Sequence, residues 1–223
     1  MSLMNVSIER IVVGQFQENT WFVRNQDNDQ AVLIDPGDQP ELLEDRMRNS
    51  GANLEAILNT HGHLDHIGAV KELQQKFQVP FYLHREDEFL VDMYPQHAEM
   101  FGVPMHGIPE VNEYLSGDES LNLVGLEWKV LPTPGHTPGS VSFLLGDHLF
   151  AGDLLFENSI GRTDLPGGDQ ITLLESIRTG ILSLDDYTVI HPGHGPDTTV
   201  GKERKSNPFI RQWLSQNQDK YTN

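Results

Sequence analysis

The stretch Thr60-His61-Gly62-His63-Leu64-Asp65-His66 places three histidines and one aspartate within six positions of a chain that has ten histidines in all. No other feature restricts the fold so tightly. Immediately upstream, LEAILNT (54–60) reads as a strand running straight into this turn. From Ile67 the pattern changes, with Ile67, Val70, Leu73 and Phe77 recurring on one helical face before VPFYLH returns to strand character. The donors therefore sit on a loop between a strand and a helix. Residues two apart in extended chain point the same way, so His61 and His63 can converge on one ion. Asp65 and His66 follow where the helix begins and face a neighbouring point. A lone Asp65 would read as a helix cap and lone histidines as surface groups, but four donors at this spacing point to two half-built metal sites.

The remaining chain repeats the theme. RIVVGQ, TWFVRN and AVLIDPG read as a β meander. Residues 85–101 read as a helix interrupted at Pro95. LEWKVLPTPGHT and SVSFLLGDHLFAGD supply three more strands, with Gly146-Asp147 as a hairpin turn. DQITLLESIRTGIL reads as a helix starting near Asp169, and YTVIHPGH as a last strand and loop. Two halves of strands plus covering helices predict two facing sheets with helices outside. The chain has 223 residues and no low-complexity linker, which suits one domain.

Two half-sites need further ligands, and these should also lie in loops at strand ends. His136 in PTPGHTPGS, Asp153 in FAGDLLF and His194 in IHPGHGP fit, each with a glycine beside it that lets backbone and ion approach closely. His191 reads as structural, and His84, His97, His106 and His148 stand outside any convergent motif. The absence of cysteine excludes disulfides and thiolate ligands. A formal charge of -18 repels polyanions, so no nucleic-acid partner is expected. With neither a signal-like amino terminus nor a run of eighteen apolar residues, no membrane association is expected and a cytoplasmic location is.

Taken together, T-H-G-H-L-D-H, P-G-H-T-P-G, G-D and P-G-H-G-P resemble the metallo-β-lactamase superfamily over nearly the whole chain. GDLLFENSIGRTDLPGGD and PGHGPDTTVGKERKSNPF are most similar to type II glyoxalases, the hydroxyacylglutathione hydrolases, especially their short bacterial relatives. This resemblance implies an α+β fold, a four-layer αββα sandwich of two mixed β-sheets flanked by helices. It implies that His61, His63 and His136 hold one divalent ion, that Asp65, His66 and His194 hold a second, and that Asp153 bridges them. The ions of such families are usually zinc, sometimes iron or manganese, and an all-nitrogen-and-oxygen donor set suits each. A water between two such ions has its pKa lowered towards neutrality and would attack a thioester carbonyl, with Asp65 and Asp153 as the catalytic carboxylates and Asp65 orienting the nucleophile. Asp35 is similar to an aspartate that the superfamily keeps beside the metal loop, although an Asp-Pro-Gly turn explains it equally well.

For the substrate, a small anionic thioester, Arg162 falls where type II glyoxalases carry a basic residue against glutathione, and Lys202 with Arg204 and Lys205 forms a local basic patch. The chain departs from the full-length enzymes in having Thr163-Asp164 and Gly195-Pro196 where they carry tyrosines. Only 29 residues follow His194, too few for their helical carboxyl-terminal domain, so a single domain over 1–223 is expected, as a monomer or small homo-oligomer. The expected activity is hydrolysis of S-lactoylglutathione or a related hydroxyacylglutathione. The alternatives are a mononuclear iron persulfide dioxygenase using His61, His136 and Asp153, or a lactonase. Lactamases with a cysteine ligand are excluded, and a non-catalytic metal-binding module would be expected to have lost ligands.

Overall fold

The structure is a computed structural model that describes residues 5–217. Strands β1 (Val6–Val13), β2 (Glu18–Asn25) and β3 (Gln30–Ile34) form the expected antiparallel meander. Helix α1 (Pro40–Ser50) leads to β4 (Asn53–Leu58), and α2 (Leu64–Ile67) and α3 (Val70–Phe77) lead to β5 (Phe81–His84). After α4 (Glu88–Phe101), β6 (Glu113–Leu115) closes a six-stranded sheet in the order β1-β2-β3-β4-β5-β6, parallel from β3 onward. The second sheet begins with β7 (Glu119–Leu123), β8 (Leu126–Pro132), β9 (Val141–Leu145) and β10 (His148–Gly152). A short hairpin, β11 (Leu155–Phe156) and β12 (Ser159–Ile160), and helix α5 (Gln170–Ser176) come next. Strands β13 (Val189–Pro192) and β14 (Thr198–Thr199) complete the sheet in the order β14-β13-β10-β9-β8-β7, and α6 (Val200–Ser206) and α7 (Pro208–Gln216) follow.

Strand alternation separates three apolar layers. On β3, Val32 and Ile34 join Trp21, Trp128, Phe143 and Phe150 between the two sheets, whereas Ala31 and Leu33 face Leu43, Met47, Leu73 and Tyr94 of the first helical layer. On β10, Phe150 faces inward, while Leu149 and Ala151 pack against Leu173, Ile177, Val200 and Ile210 of the second. The fold is therefore the expected four-layer αββα sandwich. Parallel strands β3, β4, β10 and β13 end at one rim, and crevices beyond the carboxyl ends of parallel strands are where ligands bind. The sheets are fastened there by Val141 N–H to Thr60 O at 2.8 Å and Asn19 N–H to Gly193 O at 2.7 Å.

Local differences from the sequence reading have physical reasons. Pro95 does not interrupt its helix: α4 runs through it, held by buried Leu90, Val91, Tyr94 and Ala98 on the core face. The helix expected from Ile67 starts at Leu64 and breaks at Gly68-Ala69, where Ala69 N–H donates to the Pro36 carbonyl at 3.0 Å, and a Cβ at Gly68 would lie 2.2 Å from the Gly37 carbonyl. Asp169 caps α5 as read, but the run from Ile177 to Ile181 widens into a π-turn.

Candidate metal centre

The rim loops deliver seven donors to one place. His61 and His63 leave β4 in extended chain, Asp65 and His66 lie in the first turn of α2, and Asn59 Nδ2–H clamps the loop on the His66 carbonyl at 2.7 Å. His136 comes from the β8–β9 loop, Asp153 from the end of β10 and His194 from the end of β13. The donor atoms of His61, His63 and His136 lie within 4.8 Å of one another, as do those of Asp65, His66 and His194, and those of His61, His66 and Asp153. Asp153 stands between the two trios. Its Oδ1 is 3.5 Å from His66 Nε2, and its Oδ2 is 3.6 Å from both His136 Nε2 and His194 Nε2.

Neighbouring groups decide which ring nitrogens offer lone pairs. The Arg162 carbonyl, 2.8 Å from His136 Nδ1, only accepts, so that nitrogen carries the proton and Nε2 keeps its lone pair. Asp35 takes Thr60 N–H on Oδ1 and the Thr60 hydroxyl on Oδ2, both at 2.7 Å. The Thr60 oxygen is thereby left to accept from His61 Nδ1–H at 3.0 Å, which frees His61 Nε2. His66 Nδ1 faces Asp35 Oδ2 at 3.1 Å, directing its Nε2 to the cluster. Thus Asp35 sets one ring in each trio. His61 Nε2, His66 Nε2 and Asp153 Oδ1 are buried with no hydrogen-bond partner. His63 Nδ1 and His136 Nε2 approach to 2.9 Å. Buried, inward-facing donor atoms without a hydrogen-bond partner fit divalent cations, and the all-nitrogen-and-oxygen set fits zinc, iron or manganese.

The electrostatics divide the histidines. Burial, then the neighbouring histidines, hold His61 well below its ordinary pKa, and burial with His136 lowers His63 to about 3. Burial also opposes charge on His66, but Asp153 and Asp35 outweigh it and raise His66 well above the ordinary value. In His194, burial is outweighed by Asp65 and Asp153, with a net rise. Asp65 and Asp153 are lowered despite burial, by His194 and His66 on the first and by His66, His136 and His194 on the second. Behind His66 lies buried Glu18, raised by burial, with its Oε1 at 3.9 Å from His66 Nδ1.

Close packing at the rim needs glycine at particular points. A Cβ on Gly193 would lie 2.3 Å from Asp153 Oδ1 and 2.7 Å from His66 Cε1, and one on Gly152 (φ 50) would lie 2.2 Å from Thr60 Oγ1. The glycine before His136 has a different reason, since a Cβ on Gly135 would strike the Leu173 backbone at 2.3 Å.

The two residues expected at the substrate behave differently. Arg162 touches the cluster through its carbonyl, while its exposed guanidinium forms a fork on Asp164 at 2.7 and 2.8 Å. Lys202 pairs with Glu157, and Arg204 with Asp186 and the Leu182 and Leu184 carbonyls, so these two cations already have acceptors. His191 packs between Trp21 and Phe150 and meets His148 at 2.9 Å, a structural position as read. His106 lies between Asp38 and Glu72, and His84 caps the turn before α4. Thr60, Glu18 and Asp87 carry interactions for which the sequence reading had no role.

A cluster of histidines and aspartates suited to metal ions at the rim of an αββα sandwich is the arrangement of the metallo-hydrolase class. The metallo-β-lactamase superfamily model matches residues 13–197, and the chain belongs to that superfamily. A protein of Haemophilus influenzae named hydroxyacylglutathione hydrolase GloC is 42% identical over 92% of this chain and 98% of its own length. Among solved structures, the BLEG-1 B3 metallo-β-lactamase is 38% identical with a TM-score of 0.86, covering 92% of this chain and 99% of that one. The protein TTHA1623, solved in a di-iron-bound form, is 41% identical with a TM-score of 0.82, over 90% and 99%. Among the described residues, no helix is long and apolar enough to cross a membrane.

Proposed function

We propose that this chain is a cytoplasmic dinuclear metal-dependent thioester hydrolase acting on S-hydroxyacylglutathione-type substrates. His61, His63 and His136 would hold one ion, and Asp65, His66 and His194 the other, with Asp153 shared. The observation that carries the two-ion reading is the placement of the Asp153 carboxylate, one oxygen towards His66 and the other towards His136 and His194. The ions, zinc in first place, would supply a Lewis acid and a water of lowered pKa. Asp65 would accept a hydrogen bond from that water and orient it towards the carbonyl. The two aspartates offset positive charge in the rim. The departing thiolate needs no acid from the protein, because thiols are good leaving groups. Arg162 binds a carboxylate of the substrate by exchanging Asp164 for it, and Lys202 exchanges Glu157 in the same way.

The thioester is favoured by the 42% identity to a protein named for that activity. Hydrolysis of a β-lactam is the second reading, favoured by the 38% identity to a B3 metallo-β-lactamase. Metal-loaded protein assayed on S-lactoylglutathione, a lactone, a β-lactam and glutathione persulfide, with oxygen monitored, separates these classes. Thiol release from the thioester, abolished by Asp153→Ala, is expected. Turnover of another class with no thiol released would overturn the assignment.

A further inference from the structure

Asp87 has no charged partner in the metal cluster, yet it is fully buried and ties together the two loops that carry the first trio. Its Oδ2 accepts Gly62 N–H at 2.9 Å and the Thr137 hydroxyl at 2.7 Å, and its Oδ1 accepts Gly139 N–H at 2.7 Å. Gly62 separates His61 from His63, and Thr137 follows His136. A Cβ on Gly139 would lie 2.6 Å from Asp87 Oδ1, and one on Gly62 would lie 2.9 Å from the Asp87 carbonyl and 3.0 Å from Leu90 Cβ. Glycine in the middle of the H-G-H motif therefore admits Asp87 and α4 rather than the ion.

From this geometry we infer that Asp87 is a positioning residue for the His61-His63-His136 trio and has no comparable hold on the Asp65-His66-His194 trio. All of its polar acceptances go to the first two loops, and none goes to the loops bearing Asp153 or His194. A buried carboxylate with three directed donors fixes the spacing of those loops, and partners of this kind change metal affinity by about 10- to 100-fold. The inference rests on the two-ion reading of the site.

The probe is cobalt(II), titrated into metal-free wild type, Asp87→Asn, Thr137→Val and Thr137→Ser, with visible absorption following the geometry of each bound ion. Asparagine keeps the shape of Asp87 but points an amide N–H at one of the donors the carboxylate now accepts. In Asp87→Asn, one binding step should weaken by about 10- to 100-fold and change its absorption band, while the other keeps both. Thr137→Val should weaken the same step by less, and Thr137→Ser, which retains the hydroxyl, should bind as wild type does. A residue that only stabilises the fold would lower the melting temperature of the metal-free protein and leave the two steps in their original ratio. Unchanged steps in Asp87→Asn, or equal weakening of both, overturn the inference while the two-ion reading stands. Wild type that binds no cobalt sinks both together. If wild type binds one cobalt, Asp87→Asn must weaken that ion or the inference fails.

Discussion

Replacing Asp35 by asparagine should disable both halves of the metal centre through a single buried group. The carboxylate is 1% exposed and holds Thr60 N–H and the Thr60 hydroxyl at 2.7 Å, with His66 Nδ1 at 3.1 Å. The introduced amide can keep the bond to Thr60 N–H through its oxygen, but its NH2 then replaces Oδ2. That NH2 donates to Thr60 Oγ1, whose hydroxyl turns towards His61 Nδ1, so the His61 proton moves to Nε2 and faces the ion. The same NH2 confronts His66 Nδ1 and favours the Nε2–H form there as well. Each wrong tautomer should cost about 10- to 100-fold in affinity, or roughly 1.4–2.8 kcal/mol per ion at 1.4 kcal/mol per tenfold. Because the replacement is isosteric and leaves few donors orphaned, the metal-free fold should lose no more than about 1–3 kcal/mol. Thr60→Val removes only the relay to His61, and should weaken one ion alone. Calorimetric metal titration gives both affinities, and nitrogen-15 spectra of the histidine rings give the tautomers. Two ions bound to Asp35→Asn at wild-type affinity would refute the reasoning, as would equal weakening of both ions in Thr60→Val.

Gly193→Ala should push Asp153 and His66 off their positions, since the new Cβ falls 2.3 Å from Asp153 Oδ1. Overpacking of this kind costs about 1–3 kcal/mol, and thiol release should fall at least tenfold, with melting and turnover as readouts. Metal uptake should release protons from His66 and His194 and not from His61 and His63 at neutral pH. His66 and His194 are raised and must surrender a proton to an ion, so affinity there should climb as pH rises and level off above their folded pKa values. His61 and His63 are lowered and already neutral, so their affinity should be flat down to acid pH; calorimetry in buffers of different ionisation enthalpy counts the protons. Arg162→Ala keeps the carbonyl that holds His136, so it should raise KM for the anionic thioester up to about tenfold and leave metal content unchanged, as loss of a charge-assisted contact of about 1.5 kcal/mol requires.

The donors themselves were legible in the sequence because each sits beside its own punctuation: an apolar strand, then His, Asp and Gly at loop spacing. The three strands around PTPGHTPGS and GDHLFAGD follow from alternation and a hairpin turn, and the structure draws β8, β9 and β10 there. What supports the donors left no such trace. Asp87 lies in the acidic run REDEF beside equally plausible surface acids, and its partners are 25 residues upstream and 50 downstream. Thr60 stands next to the histidines, yet its relay exists only once Asp35 is brought up by the parallel pairing of β3 and β4. Pro95 misled in the opposite direction, because helix propensity is local and the packing of Leu90, Val91, Tyr94 and Ala98 is not. Arg162 and Lys202 were read as cations for the substrate; the structure pairs the first with Asp164, two residues along, and the second with Glu157, 45 residues upstream and visible only in three dimensions.

The central claim is that seven side chains at one rim hold two ions with Asp153 between them. Crystals of metal-loaded protein, measured at the absorption edge of the bound metal, test it without reference to substrate. Two anomalous peaks about 3.5–4 Å apart are predicted, one against His61, His63 and His136 and the other against Asp65, His66 and His194, with an Asp153 oxygen on each. A single peak at full occupancy, or metal elsewhere on the surface with this rim empty, would contradict the account.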